Sequence, residues 1–210
     1  MQKILFTCLL ISVSLHTWSF DAGVELEKAV KKGDVRSVQK IIETGIDPDL
    51  IDESSLRENT PLMNAAKYGH YELAKMLIEK GADPNLQNAE FKTPLLLAVD
   101  RNYLEVVQLL IKNGANIELA GDDNRTPLYW AVVKNRKEIV RILLAAGANP
   151  KAEWDNYLED KKLTILQTAL KQKGIDSDII AMLKGEKPVK DAQQFASQAP
   201  GQTAKQFLPR

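Results

Sequence analysis

Apolar residues in the central part of the chain recur four positions apart, which places them on one face of an α-helix. Three stretches share this stripe: Leu73, Ala74, Leu77 and Ile78; Val106, Val107, Leu110 and Ile111; and Ile139, Val140, Leu143 and Leu144. Each stretch opens with an acidic residue in the first turn, where the helix dipole favours a negative charge. The pattern predicts a set of short amphipathic helices that each bury one face against a neighbour.

Two short motifs accompany the stripes, and both recur at an interval of 33 residues. One motif precedes each stripe and reads Thr60-Pro61-Leu62, Thr93-Pro94-Leu95 and Thr126-Pro127-Leu128. The other follows each stripe and reads Gly81-Ala82-Asp83, Gly114-Ala115-Asn116 and Gly147-Ala148-Asn149. Such agreement in both motifs at one period indicates a repeat protein.

Each motif has a physical role in a helical unit. A threonine hydroxyl can cap free backbone N–H groups, and proline is tolerated at the first helical position. The glycine supplies the positive φ at which a helix commonly ends. The repeating unit is therefore predicted to contain a first helix, such as 61–68, a turn at 68–70, and a second helix from about 71 to 80. His70 falls in this turn, where a turn and cap contact is expected.

These motifs resemble the ankyrin repeat, with its T-P-L start, G-A-D/N end and 33-residue period. The resemblance covers about residues 22–186 and is most specific in the central three units. Val24-Glu25-Leu26 and Thr164-Ile165-Leu166 replace T-P-L in the outer units, as in degenerate capping repeats. The predicted fold is an all-α solenoid of about five helix-turn-helix repeats. Their expected limits are about 24–56, 57–90, 91–123, 124–160 and 161–186.

The chain departs from the family pattern at two positions of the unit. The histidine that usually follows T-P-L is replaced by Met63, Leu96, Tyr129 and Gln167, so we expect more apolar packing between repeats. The glycine of the finger, the loop that leads into each first helix, is replaced by Phe91 and Asn124. Because phenylalanine does not readily adopt a positive φ, either the turn differs at Phe91 or its ring is kept for contact.

Both ends of the chain differ from the repeats. Lys3, the apolar run 4–15, and the small residues Thr17 and Ser19 predict a secretory signal peptide over 1–19. A retained membrane anchor is the alternative, although it would need about 20 apolar residues. Residues 187–210 are rich in Gln, Ala, Pro, Ser and Lys, which predicts a disordered tail. A docking segment containing Phe195, Phe207 and Leu208 is the alternative there.

Composition restricts the chemistry. The 210 residues include 28 basic and 28 acidic side chains, one cysteine and two histidines. Without the predicted signal peptide, no cysteine and only His70 remain, which argues against a disulfide, a cysteine-based zinc site and a catalytic triad. Asp122-Asp123-Asn124 lacks the spacing of a calcium loop. Basic and acidic residues alternate along the helices, so nucleic acid is not an expected partner, and we expect neither an enzyme nor a cofactor.

The family resemblance implies binding of a protein through the concave face, which the fingers and first helices build. Partner-binding candidates on that face are Tyr68, Phe91, Leu97, Arg101, Trp130 and Lys134. Trp, Tyr and Arg are enriched at the energetic centres of interfaces, whereas in the alternative Trp130 packs on the core and covers Leu97.

The expected protein is an exported monomer, periplasmic or secreted, with an unknown protein partner and no stable membrane insertion after signal cleavage. Two further hypotheses are an accessory or chaperone-like factor that supports an enzyme such as a catalase, and an effector that binds a host protein.

Overall fold

The computed structural model describes residues 23–51, 58–121, 124–156 and 161–186, which form ten helices and one short hairpin. The helices are α1 (23–32), α2 (Val35–Glu43), α3 (Pro61–Tyr68), α4 (Tyr71–Glu79), α5 (Pro94–Arg101), α6 (Leu104–Lys112), α7 (Pro127–Val133), α8 (Lys137–Ala145), α9 (Ile165–Lys171) and α10 (Ser177–Lys184). The predicted signal peptide, the tail 187–210 and Asp122-Asp123 lie outside the described residues.

The helices form two parallel layers that run along the stack. First helices contact first helices, in the order α3, α5, α7 and α9. Second helices likewise contact one another in the order α2, α4, α6, α8 and α10. Each pair thus packs mainly on the pairs before and after it, and the predicted all-α repeat solenoid is confirmed. The limits of the individual repeats stay a prediction.

Threonine caps begin the three central first helices, as the T-P-L motif predicts. The hydroxyls of Thr60, Thr93 and Thr126 accept hydrogen bonds from backbone N–H groups three residues ahead, at 3.3, 3.1 and 3.3 Å. Proline follows each threonine at the start of the helix. A cap of this kind stabilises a helix by about 1 kcal/mol. The seven- and eight-residue first helices depend on these caps because few turns support them.

A continuous apolar core joins the two layers. The leucines of the three T-P-L motifs and one leucine from each following stripe are almost fully buried: Leu62, Leu95, Leu128, Leu77, Leu110 and Leu143. The residues that replace the usual histidine, Met63, Leu96 and Tyr129, are buried as well. Apolar packing is confirmed at these three positions but is wrong for Gln167, which is exposed and accepts a hydrogen bond from the Thr164 N–H at 2.9 Å.

Polar side chains in the loops link successive repeats. After each Gly-Ala pair, the next backbone N–H donates to a side-chain oxygen of the preceding unit. The three contacts are Asp83 N–H to Asp49 Oδ2 at 2.9 Å, Asn116 N–H to Asn85 Oδ1 at 2.7 Å, and Asn149 N–H to Glu118 Oε1 at 2.7 Å. A buried amide contact, from Asn88 Nδ2 to Asn59 Oδ1 at 2.7 Å, joins two fingers. Hydrogen bonds between repeats therefore persist without the family's histidine.

The turn between the helices of a pair packs an aromatic ring on a glycine of the pair before it. A Cβ at Gly69 would lie 2.5 Å from the Tyr103 ring, and one at Gly33 would lie 2.9 Å from the His70 ring. His70 Nε2 also donates to Lys31 O at 3.2 Å. The expected role of His70 as a turn contact is confirmed, and the glycines allow neighbouring turns to approach closely.

A β-hairpin, which the sequence analysis did not predict, precedes the last helix pair. Strand β1 (Glu153–Asn156) pairs antiparallel with β2 (Lys161–Thr164), with Trp154 opposite Leu163. Both of these side chains are buried. Trp154 Nε1 donates to Thr168 Oγ1 at 2.8 Å, which fastens the hairpin to α9.

Candidate functional site

All the predicted site residues lie in the elements that form one surface, the finger-side face. We define this face as the first helices (α1, α3, α5, α7 and α9) together with the fingers that lead into them. Tyr68 and Arg101 end α3 and α5, Trp130 lies within α7, and Lys134 caps α7. Phe91 lies in the finger before α5. The structure thus places the candidates on consecutive repeats.

Trp130 is half-buried in an aromatic cluster at the base of the fingers. Its ring meets Tyr129 edge to face at 5.5 Å, and Tyr129 lies 5.1 Å from Trp154. The Arg125 guanidinium lies 5.8, 5.5 and 4.9 Å from the Trp130, Tyr129 and Trp154 ring centres. These four residues are called the aromatic cluster below. Such cation–π contacts each stabilise by about 0.5–2 kcal/mol and hold the rings in place.

The aromatic cluster combines the two predicted roles of Trp130. Its ring packs against the core, as the alternative required, but part of it stays accessible on the finger-side face. Sequence reasoning missed Tyr129, Trp154 and Arg125 as its partners. The available signal was the arginine directly before the third T-P-L motif, together with a tryptophan in the long finger that follows.

The expectation that Leu97 is exposed is wrong. Leu97 is only 7% exposed, because α5 is packed between α3 and α7. Asn64, one period earlier, is also buried and accepts a hydrogen bond from Asn59 at 2.9 Å. Trp130 occupies the corresponding position in α7 and reaches the surface because its side chain is larger. Leu97 therefore belongs to the core and supports the surface from beneath.

The expectation of a different turn at Phe91 is also wrong. Phe91 has φ 55°, close to the values of 51° at Glu58 and 58° at Asn124, which lie one period away on either side. Finger hydrogen bonds hold this backbone: the Phe91 N–H donates to Asn88 O at 2.9 Å, and Gln87 Nε2 donates to Phe91 O at 3.0 Å. The ring itself is 58% exposed. The strained backbone therefore does not serve to bury the ring, which favours the alternative that the Phe91 ring is kept for contact.

A charged pair connects two of the candidate residues across repeats. Lys134 Nζ lies 3.3 Å from Asp100 Oδ1 and 5.9 Å from the Trp130 ring centre. Arg101 Nε lies 3.8 Å from Asp100 Oδ2. The structure thus brings Arg101, Lys134 and Trp130 together through Asp100. All three charged side chains are exposed enough that their mutual attraction is worth little, at most about 1 kcal/mol.

Tyr68 and Phe91 make separate contacts. Tyr68 is 38% exposed, and its ring lies 5.3 Å from Lys67 Nζ and 6.0 Å from the His70 ring. Phe91 projects from its finger as described above. Whether the six candidates bind a partner stays a prediction, and five of them are accessible on this face.

Three described side chains have resolved pKa shifts, and each has a structural cause. Hydrogen bonds from Ser37 lower the pKa of Asp34, which caps α2. Burial raises the pKa of Asp49, against the effect of its bond from Asp83 N–H. A hydrogen bond to Asp178 raises the pKa of Lys137. These groups cap helices or join repeats, so their shifts do not indicate a catalytic site.

In the described parts of the chain, no group of three His, Cys, Asp or Glu side chains is arranged to hold a metal ion. No helix in the same ranges combines the length and apolar character needed to cross a membrane.

Comparison with known proteins agrees with the repeat geometry. Residues 26–121 and 80–154 match the family model described as "Ankyrin repeats (3 copies)", which together is more than half of the chain. Human transient receptor potential cation channel subfamily A member 1 is 35% identical over 71 residues, which are 34% of this chain and 6% of that protein. Mouse 2-5A-dependent ribonuclease is 40% identical over 60 residues, or 29% of this chain and 8% of that protein.

A fission-yeast protein is similar over a comparable stretch. The ankyrin repeat-containing protein P1E11.10 of Schizosaccharomyces pombe is 36% identical over 62 residues, which are 30% of this chain and 28% of that protein. The chain therefore spans less than a third of each of these relatives.

Proposed function

The chain belongs to the ankyrin-repeat family, and on that premise we propose that it binds a partner protein through its finger-side face. Ankyrin repeats are generally protein–protein interaction modules and are typically non-catalytic. The finger-side face corresponds to the concave binding face that the family resemblance implies. It also carries the accessible candidate residues.

Trp130 is the single observation that carries this proposal. A tryptophan that is partly accessible, flanked by Arg125 and Lys134, has the composition of an interface centre. Its ring is fixed by Tyr129 from the side and by the core beneath it. Contact with a partner would bury the accessible part without ordering a flexible side chain. That preorganisation lowers the entropic cost of binding.

Affinity capture followed by measured binding tests the proposal. The full chain is immobilised, bound proteins are identified, and the purified partner is titrated against variants by calorimetry. Trp130→Ala is expected to weaken binding by about tenfold or more, because a central tryptophan contributes over about 1 kcal/mol. Trp130→Phe retains a flat ring and should recover part of the affinity. Lys75→Ala, on the second-helix layer, is the matched surface control and should bind as the unchanged chain does.

One result would refute the assignment of the finger-side face. If Trp130→Ala folds normally and binds the partner with unchanged affinity, the partner binds elsewhere. Circular dichroism and thermal unfolding establish the folded state of each variant. Leu97 is not suitable for this experiment, because its burial would confuse lost binding with lost stability.

The proposed location is outside the cytoplasm, and it is supported by the signal-like residues 1–19. Cell fractionation with N-terminal sequencing tests this: an exported chain should begin at Phe20. A chain confined to the periplasm would favour the accessory-factor hypothesis, and a released chain would favour the effector hypothesis. A cytoplasmic chain with an intact N-terminus would refute export. Gel filtration tests the accompanying proposal that the protein is a monomer.

A further inference from the structure

The first helices end in a row of basic residues. The turn after each of the first four first helices has a residue with positive φ: Gly33, Gly69, Asn102 and Asn135. The two residues before each of these, together with Lys171 at the end of α9 and Gln172 directly after it, form what we call the basic row. It contains Lys31, Lys32, Lys67, Arg101, Lys134 and Lys171, and one acidic residue, Asp100.

The net positive charge of the basic row is opposite in sign to the net charge of the repeat region as a whole. Residues 20–186 carry 23 basic and 27 acidic side chains, a net charge of −4. Four of the second helices, α4, α6, α8 and α10, have an acidic residue in the first turn: Glu72, Glu105, Glu138 and Asp178. The helix dipole explains why a base is favourable at the end of each single helix. Stacking then aligns these bases into one row, which creates a positive stripe on the finger-side face.

The row is accessible and lies beside aromatic rings. Lys67 Nζ lies 5.3 Å from the Tyr68 ring, and Lys134 Nζ lies 5.9 Å from the Trp130 ring. Asp100, the acidic residue within the row, is already paired with Lys134 and Arg101, and Lys31 at the end of α1 pairs with Glu27. A ligand along this row would therefore meet alternating positive charge and apolar surface.

The repeat spacing sets the period of a matching ligand. Adjacent packed helices lie about 8–10 Å apart. A peptide in the extended polyproline II conformation advances about 3.1 Å per residue with three residues per turn, so every third side chain lies on the same side. Three residues of such a segment thus span one repeat. We propose that the finger-side face binds an acidic, extended segment of its partner, with Asp or Glu at every third position opposite the basic row. This proposal rests on the proposed function and specifies the chemistry of the partner.

A nucleic acid fits the same row less well. Its strand carries a charge about every 3.4 Å along a duplex, so several phosphates would fall between successive basic residues. The net negative charge of the repeat region would also repel a long polyanion. An acidic peptide with apolar residues between its charges matches both the spacing and the exposed rings.

Fluorescence anisotropy with labelled synthetic peptides tests the proposal on the full chain. The first probe has repeated Asp-Ser-Leu triplets over about 13 residues, enough to span about 40 Å in the polyproline II conformation. The second has the same composition with its aspartates clustered at one end, and the third has lysine in place of aspartate. Oligothymidylate is the fourth probe. The triplet peptide is expected to bind best, and its affinity should fall as salt approaches about 0.5 M because the charges are exposed.

Charge reversal on the protein locates the contact. Lys67→Glu and Lys134→Glu should each weaken binding of the triplet peptide by about three- to tenfold, the range expected when an exposed attraction becomes a repulsion. Lys75→Glu reverses an exposed charge on α4 in the other layer and should have no effect. Because Lys134 pairs with Asp100, Lys67→Glu is the variant that stays informative if Lys134→Glu fails to fold.

Several results would overturn the inference. The inference is wrong if the clustered or the lysine peptide binds as tightly as the triplet peptide, or if oligothymidylate binds more tightly than the triplet peptide. It is also wrong if Lys75→Glu weakens binding of the triplet peptide as much as Lys67→Glu does. The proposed function is tested separately by Trp130→Ala with the captured partner. If that variant loses binding while the basic-row variants do not, the finger-side face binds proteins but the acidic ligand class is wrong.

Discussion

Replacing Phe91 separates backbone strain from side-chain contact. Phe91 adopts a left-handed backbone conformation, with φ 55°, and leaves most of its ring exposed. Phe91→Gly and Phe91→Ala both remove the ring and its contacts. Only glycine also removes the steric cost of the left-handed conformation. The difference between these two variants therefore excludes the contacts of the ring and reports on the backbone.

The expected difference follows from two opposing terms. A non-glycine residue in this conformation costs about 1–2 kcal/mol. Glycine also makes the unfolded chain more flexible, which lowers the free energy of unfolding by about 0.4–1 kcal/mol and offsets part of the relieved strain. Phe91→Gly should therefore be about 0.5–1 kcal/mol more stable than Phe91→Ala. Ala89, two residues earlier, does not have a positive φ, so alanine should be the more stabilising residue there. Ala89→Gly should therefore be less stable than the unchanged chain.

Urea unfolding followed by far-UV circular dichroism provides the measurement. The midpoints of the two Phe91 variants are compared with each other, and Ala89→Gly is compared with the unchanged chain. A Phe91→Ala variant as stable as Phe91→Gly would refute the argument that this finger stores strain. Both Phe91 variants should also bind the captured partner more weakly if the ring is a contact. Unchanged binding would remove Phe91 from the site while leaving the strain argument intact.

Three further predictions test the packing and electrostatics of the stack. Leu97→Ala should destabilise the fold by about 2–5 kcal/mol in urea unfolding, the range for a buried leucine, whereas a loss below about 1 kcal/mol would show that Leu97 is not core. Gly69→Ala should lower the unfolding midpoint more than Gly45→Ala, because both glycines have positive φ but, of the two, only a Cβ at Gly69 would lie 2.5 Å from the Tyr103 ring. Adding Tyr103→Ala should remove most of the difference between the two glycine variants. The folded-state pKa of Asp49 is raised above 3.8, so its ionised form destabilises the fold at neutral pH and protonation relieves the cost. Asp49→Asn keeps an oxygen for the Asp83 N–H and should therefore have a higher urea midpoint than the unchanged chain at pH 7. This difference in midpoint should shrink as the pH falls through the raised pKa of Asp49. A difference that does not depend on pH would contradict the effect assigned to Asp49.

The helical framework could be predicted closely because local rules repeat in it. The first helix of the second unit was predicted at 61–68 and is observed at Pro61–Tyr68. The second helix was predicted to end near residue 80 and ends at Glu79. Capping threonine, proline and terminal glycine act within a few residues of one another, so a single sequence contains the information.

The hairpin and the aromatic cluster could not be predicted in the same way. Trp154 is drawn onto the stack by contacts with Thr168 and Tyr129, which are 14 and 25 residues away in sequence. The longer spacing between the last two units indicated an extended finger but gave no pairing register. Exposure was equally indirect, because the 33-residue period equates Leu97 with Trp130, although Leu97 is buried and the larger Trp130 is partly accessible.

Departures from the repeat pattern converge on the finger-side face. Phe91 occupies a position where glycine or asparagine would be less strained, and Trp130 occupies one where Leu97 and Asn64 are buried in other repeats. Stability alone favours local rules being obeyed at both places. The strained, exposed ring of Phe91 and the accessible part of the Trp130 ring are not explained by core packing. The proposed binding role of the finger-side face would account for both departures, and the proposed acidic ligand would add a preferred sign of charge to that contact.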